Sequence, residues 1–415
     1  MIEVSFHPEE GETIHSLQLP ISKSISNRLL ILQAQYPQHL LIDRHSESTD
    51  TEILKAALQK KSETVDFGMA GTSVRFYLAY ATIKGIPIRI DASGRGRERP
   101  VQALFQALRM LGGTWHFEGE EDHFPCRVIN GPLAGGDVVI DTSVSSQFAT
   151  ALMLSAPICP KGIRAEFKGK PSSVPYLELT RHLMEEVGLS LELTQDGFSV
   201  PHQRVLPDKC ILSVERDWSS VAFVAQHLVS SGRGAIRLEG LQENSPQGDR
   251  RVPEYFEKLG LEVRSKGQFL TLGSLVKKAE GRPAPLRLDF SGCPDLSMSW
   301  ATAAAVLGME AELSGLHTLP GKESDRLAAL GEGLGQLAEV AVLPGEGVLK
   351  IGKQKKNDQP VLWNTRDDHR LAMCGALIAA SGRIVHLSEL DSVTKSFPNF
   401  MAQFGQLGYR FKSCE

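Results

Sequence analysis

Pro20-Ile21-Ser22-Lys23-Ser24-Ile25-Ser26-Asn27-Arg28 runs directly into Leu29-Leu30-Ile31-Leu32. Serines ahead of an apolar run are N-cap residues, and a helix start offers unpaired N–H groups with the positive end of its dipole. The spacing predicts a helix with two fixed cations, Lys23 and Arg28, beside those N–H groups, which suits a phosphate or carboxylate. One such stretch describes a capped surface helix equally well. Recurrence decides between the two. Five further apolar helices are predicted to open from polar caps, at Gly71-Thr72-Ser73-Val74-Arg75, Ser145-Ser146-Gln147-Phe148, Asp217-Trp218-Ser219-Ser220, Asp295-Leu296-Ser297-Met298 and Asp368-His369-Arg370-Leu371.

A second pattern alternates with the first. An amphipathic helix ending in a Leu-Gly or Val-Gly pair, followed by a strand, recurs at Gly112, Gly188, Gly260, Gly335 and Gly408, with glycines 72 to 76 positions apart. The strands expected after them cover residues 114–117, 189–193, 261–263, 340–342 and 409–411. Residues 2–6 and 16–19 also alternate as strands do, and residues 50–61 form an amphipathic helix with Ile53, Leu54, Ala57 and Leu58 on one face. One unit therefore reads strand, buried helix, strand, amphipathic helix, two strands. Six such α/β units exceed what one core encloses, so two domains of three units each are expected. Joints near Pro20 and in residues 207–215 put residues 21–215 in one domain and 1–20 with 216–415 in the other. Capped helices in both are expected to aim their positive ends at a common cleft.

The bulk composition restricts function. Of 415 residues, 41% are hydrophobic and 23% charged, as in ordinary globular chains. Lys and Arg total 45 against 49 Asp and Glu, a net charge of -4, which disfavours nucleic-acid or membrane surfaces and requires any anion site to arise from local clustering. The six cysteines lie far apart with no C-x-x-C pair, which argues for reduced, mostly buried thiols and against a zinc site or disulfide framework. The start of the chain lacks a basic segment followed by an apolar core, and apolar runs such as residues 149–160 are too short to span a bilayer. A cytoplasmic location is expected.

The candidate cations are Lys23, Arg28, Arg75, Arg99, Lys322, Arg326, Arg370 and Lys395. Arg99 ends Gly94-Arg95-Gly96-Arg97-Glu98-Arg99-Pro100, Lys322-Glu323-Ser324-Asp325-Arg326 brackets acids, and Lys395 lies in Thr394-Lys395-Ser396-Phe397-Pro398. Any one of them is ordinarily a solvated charge. Together they are too many like charges for one cleft unless a polyanion fills it.

These motifs, with Ala70-Gly71-Thr72, Arg99-Pro100, Ser143-Val144-Ser145-Ser146-Gln147-Phe148 and Asp368-His369-Arg370, resemble the 5-enolpyruvylshikimate-3-phosphate synthase family in order and across nearly the whole chain. The resemblance implies two domains of the enolpyruvyl transferase type. Each is an inverse half-barrel of three βαβαββ units with buried parallel helices, closing on substrate. It implies transfer of the enolpyruvyl group of phosphoenolpyruvate to the 5-hydroxyl of shikimate 3-phosphate, with release of phosphate by addition then elimination, in the shikimate pathway to chorismate and aromatic amino acids. By motif, Lys23, Ser24, Arg28, Ser145, Ser146, Gln147, Ser173, Tyr176, Asp295, Thr318 and Lys322 are expected to hold shikimate 3-phosphate. Lys23, Gly71, Arg99, Gln147, Arg326, Arg370 and Lys395 are expected to surround phosphoenolpyruvate, and Lys23, Asp295 and Glu323 to carry the proton traffic. No cofactor, metal, nucleic acid or membrane partner is implied, and the enzyme is expected to act as a monomer.

Several positions depart from the family pattern. Ile21 stands where glycine is common, Met69 replaces an asparagine, Thr318 sits where an asparagine contacts the shikimate phosphate, and Pro320-Gly321 precede Lys322 where a basic residue is usual. Two rival readings are a UDP-N-acetylglucosamine enolpyruvyl transferase and a non-catalytic anion-binding relative. The first uses a cysteine before its Arg-Pro, and residues 90–100 contain none; the second is opposed by the presence of Lys23, Asp295 and Glu323.

Overall fold

The repeat is plainest in residues 64–128 of the computed structural model, which describes residues 1–8, 14–59, 62–206, 208–274, 285–356 and 359–414. Thr64–Asp66 leads into the helix Gly71–Lys84, and Arg89–Asp91 returns parallel to the first strand. The helix Gln102–Met110 follows, and the antiparallel strands Trp115–Phe117 and Cys126–Val128 close the unit. A parallel pair needs a crossover, and the buried helix is that crossover. From Ser73 to Ile83 every residue of Gly71–Lys84 is buried, so this helix carries no polar face.

The same order builds the sheets of residues 136–200 and 286–354. Two more units complete themselves with strands from the start of the chain. Ile14–Leu17 pairs parallel with Ala235–Glu239, and Ile2–Phe6 inserts between Val385–Leu387 and Tyr409–Ser413. The unit that holds Lys23 departs from the expected pattern. Its first strand, Cys210–Ser213, pairs parallel with Leu40–Arg44, but among the described residues this sheet has only two strands. After the helix Thr49–Gln59 the next strand among the described residues is Thr64–Asp66, the first of the following unit, and no closing pair stands between them there.

The chain divides into two compact units, Met1–Pro20 with Glu215–Glu415 and Ile21–Val214. Each has its own apolar core: Phe290, Trp300 and Phe400 in the first, Phe76, Phe105 and Phe148 in the second. No helix of the described residues is long and apolar enough to cross a membrane, and all six cysteines are free thiols.

Three local expectations change. The strand expected at 16–19 is Ile14–Leu17, which leaves Leu19 as a buried core residue beyond it. Of residues 189–193 only Glu192–Leu193 is strand, because Gln203 satisfies both backbone groups of Ser190, accepting from its N–H at 2.7 Å and donating to its carbonyl at 3.0 Å. Side-chain caps hold three of the six buried helices, through Ser22, Asp217 and Asp368, while Ala70, Ser146 and Asp295 at the other starts make no such bond. Lys60 and Lys61, in the expected helix, and Pro207, in the expected joint, lie outside the described residues.

Candidate functional site

The candidate residues form two groups, one in each unit. In the unit of residues 21–214, Ser22 Oγ caps the helix Lys23–Gln35 by accepting from the Ile25 amide at 3.4 Å. Lys23 Nζ reaches Asp50 Oδ2 at 3.0 Å. Arg28 lies one turn on and is buried. Its Nε donates to Thr180 Oγ1 at 2.9 Å, its Nη1 to the Ser24 carbonyl at 2.7 Å and its Nη2 to the Tyr176 carbonyl at 3.2 Å. Its guanidinium lies 5.4 Å from the Phe76 ring centre and 6.0 Å from that of Tyr176, and burial pushes it down to about 10.

A second cluster gathers around the start of Gly71–Lys84. Arg75 Nη1 donates to Gln147 Oε1 at 2.6 Å, and its Nε and Nη2 both bond the Pro100 carbonyl, Nε at 3.2 Å. Gln147 Nε2 in turn donates to Thr72 Oγ1 at 3.0 Å. Arg75 thereby fixes both Gln147 and the segment that carries Arg99. Arg99 Nη1 donates to the Met69 carbonyl at 3.3 Å, and its guanidinium lies against Gly71, where a Cβ would stand 2.0 Å from Nη1. Only a residue without a side chain permits that approach. Ser145 Oγ accepts from the Gln147 amide at 3.3 Å, and Ser146 is buried. Ser173 sits at φ 54°, ψ 53°, a left-handed conformation that serine adopts at a cost and that recurs at ligand sites.

Among the described residues neither Arg28 nor Arg75 has a carboxylate at ion-pair distance. Burial first, and Arg99 second, push Arg75 well below the ordinary arginine value. Buried cations bonded to neutral partners leave a positive field that an arriving anion relieves.

The unit of residues 1–20 and 215–415 is balanced differently. Asp295 Oδ1 accepts from Arg326 Nη1 at 2.8 Å and its Oδ2 from Lys322 Nζ at 3.4 Å, with Arg370 Nη2 3.8 Å from Oδ2. Asp368 accepts from Arg326 Nε at 2.7 Å and Nη2 at 3.1 Å, and it also caps the helix His369–Leu377 through the Arg370 amide at 3.0 Å. Glu323 Oε2 lies 2.9 Å from His369 Nδ1 and 3.9 Å from Lys395 Nζ, which donates to the Asp367 carbonyl at 2.8 Å. Asp249, 4% exposed, accepts from Ser219 Oγ and sits within electrostatic reach of Arg370, Asp295 and Lys322. The Thr318 hydroxyl oxygen is buried with no hydrogen-bond partner among the described residues.

Four cations, Lys322, Arg326, Arg370 and Lys395, thus stand among four carboxylates, Asp249, Asp295, Glu323 and Asp368. Among the described residues, the expected excess of like charge is absent from this group. Burial works to raise the Asp295 carboxyl, but Lys322, Arg370 and Arg326 outweigh it and hold the group well below the usual carboxylate range. Arg326 is raised, since Asp368, Asp295 and Glu323 outweigh its desolvation. Burial raises the Asp249 carboxyl, against the pull of Arg370.

Asp50, Thr180 and Asp249 were not anticipated as part of these groups. Asp50 showed only as a helix start, and Asp249, in Gln247-Gly248-Asp249-Arg250-Arg251, carries no periodic signal. Asp368 and His369 were visible as the two residues before Arg370, but their bonds to Arg326 and Glu323 were not.

A family model described as EPSP synthase (3-phosphoshikimate 1-carboxyvinyltransferase) matches residues 19–404. Proteins named 3-phosphoshikimate 1-carboxyvinyltransferase from two strains of Bacteroides fragilis are 31% and 32% identical, over 96% of this chain and 96% of theirs. That of Tolumonas auensis is 29% identical over 95% of this chain and 97% of its own. Among solved structures, EPSP synthase from Acinetobacter baumannii matches with a TM-score of 0.74 at 17% identity, covering 100% of both chains. The enolpyruvyl transferase NikO from Streptomyces tendae matches at 0.72 and 14% identity, over 100% of this chain and 99% of its own. At those identities both structures bear on the fold alone.

Proposed function

The chain belongs to the EPSP synthase (3-phosphoshikimate 1-carboxyvinyltransferase) family, and we propose that it transfers the enolpyruvyl group of phosphoenolpyruvate to the 5-hydroxyl of shikimate 3-phosphate, releasing phosphate. Both substrates are phosphorylated carboxylates. The observation that carries this reading is the pair of buried guanidiniums, Arg28 and Arg75, which among the described residues have no carboxylate at ion-pair distance and lie beside the serines and Gln147.

In this reading Ser145, Ser146 and Ser173 take the shikimate phosphate, and Ser24, Arg28, Tyr176, Asp295, Thr318 and Lys322 take its carboxylate, ring and hydroxyls. Gly71, Arg99, Gln147, Arg326, Arg370 and Lys395 surround phosphoenolpyruvate, with Lys23 serving both ligands. Guanidinium forks suit a phosphate and a carboxylate bidentately. Fixed donors aimed at charge that develops in the transition state lower its energy without reorganisation.

The proton inventory is simple. As the hydroxyl oxygen bonds to the central carbon of the enol, its proton must leave and the methylene carbon must gain one. Elimination then removes a proton from that carbon as phosphate departs. Asp295 enters ionised, given its depressed carboxyl, and suits the role of acceptor. Glu323, 2.9 Å from His369 Nδ1, belongs to a pair that can share a proton, and Lys23 supplies the cation beside the departing phosphate.

A phosphate-release assay tests the acceptor directly. Phosphate should appear from phosphoenolpyruvate with shikimate 3-phosphate and not with UDP-N-acetylglucosamine. Turnover with the nucleotide sugar alone would overturn the reading.

A further inference from the structure

Glu3, His386 and Cys414 come from three neighbouring strands of one sheet. Ile2–Phe6 lies between Val385–Leu387 and Tyr409–Ser413, and Glu3 stands opposite His386 on one side and opposite Lys412 on the other. Opposed residues share a face of a sheet, and alternate residues along a strand return to it. Cys414, two residues beyond Lys412, therefore joins Glu3 and His386. The opposite face carries the core residues Val4, Val385 and Leu387, so the three donors occupy the outer face. A carboxylate oxygen of Glu3, a ring nitrogen of His386 and Cys414 Sγ all lie within 4.8 Å of one another, and all three residues are partly exposed. Cys414 Sγ has a distant contact with the Lys412 carbonyl at 3.9 Å.

We propose that this face binds a single divalent metal ion of the zinc class through Glu3, His386 and Cys414. Thiolate, imidazole and carboxylate form a donor set that zinc accepts, and three protein ligands leave a fourth position for water or an added ligand. Bond lengths near 2.0 to 2.3 Å place tetrahedral ligand atoms roughly 3.5 Å apart. The present spacing closes to that value through small side-chain rotations at partly exposed positions. As the metal–sulfur bond forms, the thiol proton passes to solvent, and thiolate plus carboxylate neutralise the dication. The other mixed donor cluster among the described residues, Glu323, Asp368 and His369, is a different case: Arg326 bonds both carboxylate oxygens of Asp368, so a fixed guanidinium already fills the place of a cation.

The reading departs from the cysteine spacing, which argued against a zinc site. Ligands at positions 3, 386 and 414 make no linear motif; the sheet register alone brings them together. A metal there would tie three strands far apart in sequence and stabilise the sheet they form.

Cobalt(II), added to the tag-free, chelator-treated full chain, is the probe. The expected result is a thiolate-to-cobalt charge-transfer absorption that saturates at one equivalent and is displaced by zinc. Cys414→Ser should abolish the band, and His386→Ala and Glu3→Gln should each weaken cobalt binding by about tenfold or more. Zinc should raise the melting temperature of the parent protein and leave that of Cys414→Ser unchanged. Cys414 lies beyond the last strand, so that variant keeps the fold, and its metal-free turnover should equal the parent's. Absence of the band at saturating cobalt, or a band of equal strength in Cys414→Ser, would overturn the proposal, and neither outcome touches the transferase reading.

Discussion

Lys23 and Asp295 are both charged, but their neighbours give them different weights. The Lys23 side chain is 21% exposed and pairs at 3.0 Å with Asp50, whose side chain is 10% exposed, so Lys23→Met leaves a largely buried carboxylate without that cation and should cost about 1 to 3 kcal/mol in urea unfolding. It is expected to abolish turnover while far-ultraviolet dichroism at neutral pH stays that of the parent. Asp295 is the shared counter-charge of Lys322, Arg326 and Arg370. Asp295→Asn leaves those cations partly uncompensated in a buried place and should cost about 3 kcal/mol in urea unfolding. The sign with pH follows from the depressed carboxyl. The stability that Asp295 contributes is complete above its unfolded value of about 3.9 and is lost only as pH falls further, through the lower folded value. Asp249 has the opposite sign, because burial raises it. Its ionised form costs folding energy above about pH 3.9, so Asp249→Asn should leave the neutral-pH urea midpoint equal or higher.

The helix starts act as platforms as well as ends. Gly71–Lys84 begins without a side-chain cap, and its first residue is the surface on which the Arg99 guanidinium lies. Gly71→Ala improves helix propensity but puts a methyl 2.3 Å from Arg99 Cζ, so the guanidinium must move. The expected outcome in steady-state kinetics is a KM for phosphoenolpyruvate raised by about tenfold, with the KM for shikimate 3-phosphate nearly unchanged. Equal effects on both would show that the helix start, and not Arg99 alone, had shifted. Asp368 joins the two uses in one side chain, since it caps His369–Leu377 and holds Arg326. Asp295 at the start of Leu296–Leu307 makes no cap bond and gives both oxygens to cations.

Within the unit of residues 1–20 and 215–415, the two ends of the chain are knitted around one buried imidazole. His227 Nδ1 lies 2.9 Å from the Tyr409 hydroxyl, and the Phe6 and Phe404 rings meet its ring edge-on with centres at 5.5 Å and 6.3 Å. Burial, and then His15, push the imidazole down to about 3. Below a free value of about 6.5 the unfolded chain takes up a proton that the folded chain refuses until about pH 3. Stability should therefore fall by about 1.4 kcal/mol per pH unit in that window. Urea melts at pH 7 and pH 5 should show this slope for the parent and its loss in His227→Gln, which keeps a polar partner for Tyr409.

The helix starts, the glycine-terminated segments and the number of repeats were legible in the chain because capping, periodicity and turn formation depend on residues a few positions apart. The same locality explains the misses. Gln203 replaced strand bonds at Ser190 from 13 positions away, and the unit of Lys23 took its first strand from residues 210–213 and, among the described residues, has no closing pair. Charge balance was hidden most completely. Lys322, Arg326 and Arg370 stand beside acids in the chain, but folding decided which carboxylates oppose them, setting Asp295 and Asp368 against them, whereas among the described residues Arg28 and Arg75 have no carboxylate at ion-pair distance. Coulomb energy and desolvation depend on distance through space, so a list of residues names the charges, and packing settles which of them remain to meet a substrate.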